Sequence, residues 1–198
     1  MIAATVLAAG ESSRMGFPKA LLNYHGRTFL QTILDSAAAL GLMPLAVFAV
    51  DSDNILQHHD LRAVTVLTNR EPEAGPIGSI RESVRAILNH PVDALLVWPV
   101  DFPHVSVATV QKLIDGFWEA GKPIVVPLCD GRRGHPAVFG RAVFADLLQA
   151  PDSAGAQAVV RADPGRVLQV PVDDPAVIDS LNTPAAYRDL LRRRDENR

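Results

Sequence analysis

The chain has 198 residues, of which 48% are hydrophobic and 21% are charged. This length and composition are typical of one globular domain, predicted here over residues 1–198, and exclude the charge-rich, hydrophobe-poor composition of disordered chains. A formal net charge of −3 provides no general attraction to nucleic acid or to anionic lipid, so we expect neither as a partner.

Cysteine usage and the N-terminal residues limit the cellular setting. A single cysteine, Cys129, excludes a disulfide within the chain and any metal site with several cysteine ligands. This usage is typical of a reducing compartment, and we expect a cytoplasmic protein. The apolar run from Ile2 to Ala9 meets Glu11 well short of the length of a membrane span. It therefore predicts a buried strand and no membrane partner.

Apolar runs and periodic stretches alternate along the chain. Short apolar runs bounded by Gly, Pro, Asn or Asp predict strands at Ile2–Ala8, Leu45–Val50, Ala63–Leu67, Ala94–Pro99 and Ile124–Pro127. Apolar residues spaced by three or four predict helices along Phe29–Leu40, Ile77–Ile87 and Val107–Phe117. The less regular C-terminal part predicts a strand at Pro136–Phe139, helices near Arg141–Leu148 and Ala154–Ala162, a strand at Val167–Val172 and a closing helix from Pro184. This alternation predicts an α/β fold with a mostly parallel central sheet and helices on both faces.

Open α/β sheets bind ligands beyond the carboxyl ends of their strands. The loops that leave those ends begin at Ala9, Asp51, Asn69, Asp101 and Leu128. We therefore expect the functional residues in these loops.

The loop after the first strand combines small residues, hydroxyls and cations. From Leu7 to Lys19 it reads LAAGESSRMGFPK. Small residues allow backbone N–H groups to approach an anion, and Arg14 and Lys19 can neutralise the charge of a polyphosphate. The loop matches neither of the two commonest phosphate-binding motifs. It has Ser12 and Ser13 at the inner positions where a dinucleotide fingerprint has glycine, and Gly-Phe-Pro where a Walker A loop has Gly-Lys-Ser or Gly-Lys-Thr. The composition thus predicts that this loop binds phosphate as a motif of another type.

Asp101 directly follows the apolar strand and comes before Phe-Pro. Its carboxylate lies at the same edge as the first loop, and a hard oxygen ligand suits Mg²⁺ that bridges phosphates. A capping role for Asp101 is less suited to the sequence, because Ser106 stands closer to the start of the next helix.

The first loop resembles the L-A-[AG]-G-x-S-x-R-M-G-x-x-K signature of a nucleotidyltransferase family. This family includes the molybdenum cofactor cytidylyltransferases and the molybdopterin guanylyltransferases. The similarity continues in order through AGPIGSI at 74–80, WPVDFP at 98–103, GHP at 134–136 and LNTP at 181–184, which covers nearly the whole chain. The resemblance implies a single-domain Rossmann-like nucleotidyltransferase fold that transfers a nucleotidyl group from a nucleoside triphosphate to an acceptor phosphate, with Mg²⁺ and release of pyrophosphate.

The resemblance also assigns roles to residues of this chain. It implies catalytic roles for Arg14, Lys19 and Asp101. It implies nucleotide binding by Leu7, Ala8, Ala9, Gly10, Ser12, Ser13, Lys19, Asn69, Gly75, Pro76, Gly78 and Ser79. It implies metal binding by Asp101 and Asn182, and acceptor binding by His135.

A simpler structural role stays open for two of these residues and for one segment. Asn182 either ligates the metal or caps the helix that starts at Pro184. The segment Gly75–Ser79 either offers helix N–H groups to the nucleotide or is a plain turn into a helix. His135 either contacts the acceptor or is structural, since an acceptor phosphate is already anionic and needs no strong base.

The resemblance implies molybdopterin, or its molybdenum-loaded form, as a phosphorylated pterin-type acceptor, and a molybdoenzyme that receives the product. A sugar-phosphate or other metabolite-phosphate nucleotidyltransferase is the alternative enzyme. A catalytically weak nucleotide- or cofactor-binding chaperone is the alternative from another class, but Lys19 and Asp101 favour an enzyme. CMP is favoured over GMP because Ala9 stands where guanylyl-transferring relatives usually carry Gly, although 75–77 and 182–184 resemble the guanylyl branch more closely.

Overall fold

The computed structural model of the chain describes residues 1–10 and 15–196. The strands in these residues are β1 (Ile2–Leu7), β2 (Asn23–Tyr24), β3 (Arg27–Thr28), β4 (Met43–Phe48), β5 (Thr65–Thr68), β6 (Ala94–Pro99), β7 (Ile124–Cys129), β8 (Arg132–Arg133), β9 (Ala137–Gly140) and β10 (Val167–Pro171). The α-helices are α1 (Phe29–Ala39), α2 (Asp53–Leu56), α3 (Pro76–Ile87), α4 (Val107–Ala120), α5 (Phe144–Gln149), α6 (Ala156–Ala162) and α7 (Pro184–Glu196).

The main sheet runs in the order β10-β7-β9-β6-β1-β4-β5, with β8 paired to β7. Strand β1 is parallel to both of its neighbours, and the pairs β4–β5 and β7–β10 are also parallel. Strand β9 is antiparallel to β6 and β7. The carboxyl ends of β1, β5 and β6 therefore open onto one edge, where the loops at Ala9, Asn69 and Asp101 begin.

Two apolar cores cover the two faces of this sheet. Helices α1, α4 and α7 pack on one face, where Phe29 and Leu113 lie fully buried with Trp98. Helices α3, α5 and α6 pack on the other face, where Val84 and Phe144 are buried with other core side chains of the sheet. Successive residues of a strand point to opposite faces, which explains why Leu96 and Leu95 belong to different cores. The predicted α/β fold with a mostly parallel sheet is confirmed.

Most differences from the predicted elements lie at their ends. Strand β4 runs from Met43 to Phe48 and not from Leu45 to Val50, because Met43 and Pro44 extend the pairing with β1. The helix predicted from Arg141 begins as a 3-10 turn and becomes α-helical only in α5. Helix α6 begins at Ala156 because Gly155 before it has a φ of +57°, which a continuing helix does not allow.

No helix within the described ranges, 1–10 and 15–196, is long and apolar enough to cross a membrane.

Candidate active site

A cavity of about 1060 Å³ opens at the carboxyl edge of the sheet, beside the N-terminus of α3. Most of the predicted site residues that the structure describes line it. These are Leu7, Ala9, Gly10, Lys19, Asn69, Gly75, Pro76, Ser79, Asp101, His135 and Asn182. The fold therefore brings together residues from the first loop, the middle of the chain and the segment before the last helix.

Two predicted nucleotide-binding residues have other surroundings. Ala8 is buried in the core, and its N–H donates to the carbonyl of Val47 at 2.9 Å. Gly78 does not line the cavity, and a β-carbon there would lie 2.5 Å from the carbonyl oxygen of Glu71 and 2.8 Å from Oδ1 of Asn69. The structure thus uses Gly78 for the close approach of a loop to α3.

Three further predicted residues, Ser12, Ser13 and Arg14, lie outside the described residues. Two more loops are predicted to lie at this edge. Their first residues, Asp51 and Leu128, are not among the described residues that line the cavity.

Lys19 meets both predicted metal ligands. Its Nζ lies 3.7 Å from Oδ2 of Asp101 and donates a hydrogen bond to Oδ1 of Asn182. The side chains of Lys19 and Asp101 are only 16% and 14% exposed. A cation and two oxygen groups thus share a largely desolvated place, where their electrostatic interactions are stronger than in water.

The alternative capping role of Asn182 does not fit the structure. Thr183 provides the cap of α7, because its Oγ1 accepts a hydrogen bond from the N–H of Ala186 at 3.2 Å. Asn182 instead points its amide oxygen at Lys19 and donates from Nδ2 to Oγ of Ser180 at 2.7 Å. Likewise Ser106 caps α4 by accepting from Thr109, which leaves the Asp101 carboxylate to the cavity.

The loop before α3 presents the start of that helix to the cavity. Asn69 is 4% exposed, its N–H donates to the carbonyl of Phe48, and its Oδ1 accepts from the N–H of Glu71. Gly75 has a φ of +68°, a conformation that favours glycine, and it is followed by Pro76 as the first helical residue. The positive end of the α3 dipole therefore faces the cavity and suits an anion or a polar base edge.

The segment around His135 is fixed by the 3-10 turn Pro175–Ile178. The N–H of Gly134 donates to the carbonyl of Pro127 at 3.0 Å, and that of His135 donates to the carbonyl of Val177 at 2.8 Å. The imidazole of His135 is accessible to solvent from the cavity, and its ring centre lies 5.1 Å from that of Phe102. The backbone thus holds His135 at the wall of the cavity that Asp101 also lines.

The charge state of His135 follows from these surroundings. Desolvation by the cavity walls lowers the pKa of His135 below its ordinary value, and the negative charge of Asp101 partly opposes that shift. A lowered pKa keeps the imidazole neutral at neutral pH, so that it can donate one hydrogen bond and accept another.

Sequence reasoning did not identify the residues from 152 to 161 that form one wall of the cavity. Residues 152–157, with Val160 and Arg161 of α6, line it together with Arg133 of β8. The segment PDSAG at 151–155 has only the composition of an ordinary turn. No sequence signal distinguishes it, because its place at the cavity follows from the packing of α5 and α6 on α3.

The oxygen groups of the cavity fit a divalent cation that is held mainly by phosphate. Within residues 1–10 and 15–196, no group of three or more His, Cys, Asp and Glu side chains could hold a metal alone. Asp101 and Asn182 offer one carboxylate and one amide oxygen within reach of the same ammonium group. Mg²⁺ is commonly bound by one or two protein oxygens together with water and substrate phosphates, which matches this donor set.

Comparison with known proteins identifies similar sequences. The chain is 36% identical over 111 residues to the molybdenum cofactor guanylyltransferase of Xanthomonas euvesicatoria pv. vesicatoria, a match that covers 55% of this chain and 51% of that protein. It is 28% identical over 186 residues to a protein of Mycobacterium tuberculosis named probable molybdenum cofactor guanylyltransferase, covering 93% of this chain and 90% of that one.

Solved structures share the fold across almost the whole chain. The crystal structure of Rv0371c from M. tuberculosis H37Rv has a TM-score of 0.82 at 28% identity, and covers 96% of this chain and 97% of that one. A structure of Rv0371c in complex with manganese has a TM-score of 0.75 at 26% identity, over 96% and 98% of the two chains. The MobA-like NTP transferase domain matches residues 4–170. The chain therefore belongs to the MobA-like NTP transferase domain family and is a nucleotidyltransferase.

Proposed function

We propose that this chain transfers a nucleoside monophosphate from a nucleoside triphosphate to a phosphorylated pterin-type acceptor, molybdopterin or its molybdenum-loaded form. The observation that carries the proposal is the meeting of Lys19, Asp101 and Asn182 at one cavity of an NTP transferase domain. Relatives named molybdenum cofactor guanylyltransferases support this acceptor. A molybdoenzyme would receive the product.

In this reaction an oxygen of the acceptor phosphate attacks the α-phosphorus in line. The bond from the α-phosphorus to the bridging oxygen breaks, and pyrophosphate leaves with that electron pair. Lys19 stabilises the charge that moves onto the phosphate oxygens, and the predicted role of Arg14 is the same. The N–H groups near Ala9 and Gly10 and the N-terminus of α3 bind phosphate and nucleoside. Catalysis is then positioning and charge neutralisation, without a strong base.

Asp101 and Asn182 would hold the magnesium ion. When bound, Mg²⁺ supplies positive charge that neutralises the triphosphate and the leaving pyrophosphate. The manganese complex of Rv0371c supports a divalent cation in a protein of similar structure. In this chain, Lys19 would keep both oxygen ligands oriented before the cation and the triphosphate arrive.

The acceptor would bind at the wall formed by the C-terminal half of the chain. His135, Arg133 and Arg161 line that part of the cavity. Two guanidinium groups suit an anionic acceptor, because each can form paired hydrogen bonds with a phosphate. The neutral imidazole of His135 adds a group that both donates and accepts.

We propose guanine as the base, because the relatives reported above are named guanylyltransferases. CTP is the second candidate, and the position of Ala9 favours it. The methyl group of Ala9 lines the cavity and takes space next to the loop backbone, which a two-ring base needs more than a one-ring base.

Pyrophosphate release tests the activity. The purified chain is given each of the four nucleoside triphosphates with molybdopterin and, separately, with several sugar phosphates, in the presence of Mg²⁺. We expect release with molybdopterin and GTP and little with the sugar phosphates. Release that needs a sugar phosphate would identify the alternative enzyme class, and binding of nucleotide without any release would favour the chaperone.

The base is tested by comparing kcat/KM for GTP and CTP in the parent and in Ala9→Gly. One methyl group is worth about 1–3 kcal/mol in a pocket, so the variant should shift the ratio toward GTP by about tenfold. A parent that prefers CTP by more than about tenfold would reject guanine as the base. A ratio that Ala9→Gly leaves unchanged would instead show that residue 9 has no part in the choice.

A further inference from the structure

The side chain of Arg81, on α3, joins two segments that line the cavity. Its Nη1 donates to Oε2 of Glu71 at 2.6 Å. Its Nη2 donates to the carbonyl of Ala150 at 2.7 Å and to Oδ1 of Asp152 at 2.6 Å. The side chain is only 12% exposed, so these charged hydrogen bonds are weakly screened on the arginine side.

The segment at the Glu71 end keeps other attachments without Arg81. Both terminal nitrogens of Arg85 lie 3.1 Å from Oε1 of Glu71. The N–H of Glu71 also donates to Oδ1 of Asn69, whose own N–H is bonded to the carbonyl of Phe48. Loss of Arg81 should therefore leave the loop before α3 in place.

The segment at the other end is held by the buried Ala150 and by hydrogen bonds from Arg81. In the part of the chain that the structure describes, Arg81 donates the side-chain hydrogen bonds that the carbonyl of Ala150 and the carboxylate of Asp152 accept. The N–H groups of Ala154 and Gly155 fold back onto the carbonyl of Pro151 at 3.1 Å and 2.7 Å. Movement at 150–152 would thus carry the whole turn 151–155 and the start of α6 with it.

We propose that Arg81 is a positioning residue for the acceptor, acting by holding the cavity wall of residues 152–157 against α3. This inference rests on the proposed function, in which the C-terminal half of the chain binds the acceptor. The planar guanidinium is essential, because its two terminal nitrogens reach two segments at once, whereas a lysine ammonium is a point charge on a flexible stem. Loss of the contact would leave the acceptor in a wider and more mobile site.

Amide hydrogen exchange in the full chain without substrates tests the tether directly. In Arg81→Gln, we expect the peptide containing Ala154 and Gly155 to exchange about tenfold faster than in the parent. Arg85→Gln is the matched control, because it also removes an arginine bonded to Glu71 but has no bond to 150–152. Equal exchange of this peptide in the two variants would overturn the tether. Asp152→Asn provides a second variant, since Asp152 is 56% exposed and its loss should not unfold the chain.

Steady-state kinetics with molybdopterin test the consequence for the reaction. Arg81→Gln should raise the KM for molybdopterin by about tenfold and change the KM for the nucleoside triphosphate by less than about twofold. Arg81→Lys should resemble Arg81→Gln, and full rescue by lysine would overturn the requirement for the guanidinium. Equal rises in both KM values would overturn the acceptor assignment. A parent that transfers no nucleotide to molybdopterin would overturn the proposed function and the acceptor assignment with it, while the exchange result would still decide the tether.

Discussion

The backbone of Gly134 packs directly against the backbone carbonyl of Val177. A β-carbon at position 134 would lie 2.2 Å from the carbonyl oxygen and 2.6 Å from the carbonyl carbon of Val177. The next N–H, that of His135, donates to the same oxygen. Glycine is therefore required for the contact that sets the position of His135 at the cavity.

Gly134→Ala should weaken both the fold and the activity, because the backbone of one partner has to move. Overpacking of this kind costs about 1–3 kcal/mol, and the displaced His135 should raise the KM for the acceptor. Urea unfolding and steady-state kinetics measure the two effects. Gly165→Ala is the control, since the three atoms nearest to its new methyl group would all belong to the Asp163 side chain and none to the backbone. A Gly134→Ala protein with parental stability would contradict the close approach.

Lys19→Ala should lower kcat by about 10²–10³ while the chain stays folded, because a cation is lost from a site that disperses phosphate charge. Lys112→Ala, on the exposed side of α4, removes the same charge away from the cavity and should have no effect. Turnover and thermal unfolding are compared for both variants. Activity of Lys19→Ala within about threefold of the parent would remove Lys19 from the mechanism.

Asp101→Asn should raise the Mg²⁺ concentration needed for half-maximal activity by about tenfold or more, because an amide keeps the shape but loses the charge. Asp115→Asn is the matched control, since Asp115 is an exposed residue of α4. A magnesium titration of pyrophosphate release gives the comparison. If the parent stays active after complete chelation of divalent cations, the proposed metal role of Asp101 is wrong.

Asp174 links the start of α4 to the turn that holds His135. Burial alone would raise its pKa, but hydrogen bonds from the Thr109 hydroxyl and from the N–H groups of Ser106 and Ala176 lower it overall. A carboxyl whose pKa is lower in the folded state stabilises the fold above its unfolded pKa, and this contribution is lost as pH falls through the folded pKa.

Asp174→Asn should accordingly lower the free energy of unfolding by about 1–3 kcal/mol at neutral pH, and the difference from the parent should shrink below about pH 4. Urea unfolding of both proteins between pH 7 and pH 3 measures this difference. Comparison with the parent at each pH cancels the titration of other carboxyl groups. A difference that stays constant down to pH 3 would contradict a charged role for Asp174.

Sequence patterns predicted the strands and helices well where burial alone determines them. The bounds of β6 were predicted without error, because the strand is buried almost throughout and a turn follows it directly. The antiparallel direction of β9 and its place between β6 and β7 could not be predicted, since strand order depends on pairing between distant segments. The bounds of β4 were also missed, because half-buried Met43 and Pro44 join the strand through their register with β1.

The residues of the candidate site were predictable where they belong to a sequence motif. Lys19, Asp101 and Asn182 stand in recognisable motifs, and the structure brings them together. The role of Gly78 was not predictable, because the close approach of Asn69 and Glu71 to this glycine leaves no signal in the sequence. The wall at 152–157 and its contact with Arg81 likewise depend on packing between segments about 70 residues apart, which no local pattern records.

The hydrogen bond from Lys19 to Asn182 joins residues 163 positions apart. In the described residues, every strand of the main sheet ends by Pro171, so Asn182 reaches Lys19 from a segment that lies outside the sheet. The sheet and the site are therefore separable features of the fold. A substitution that displaces the segment around Asn182 could leave the sheet ordered and the site incomplete.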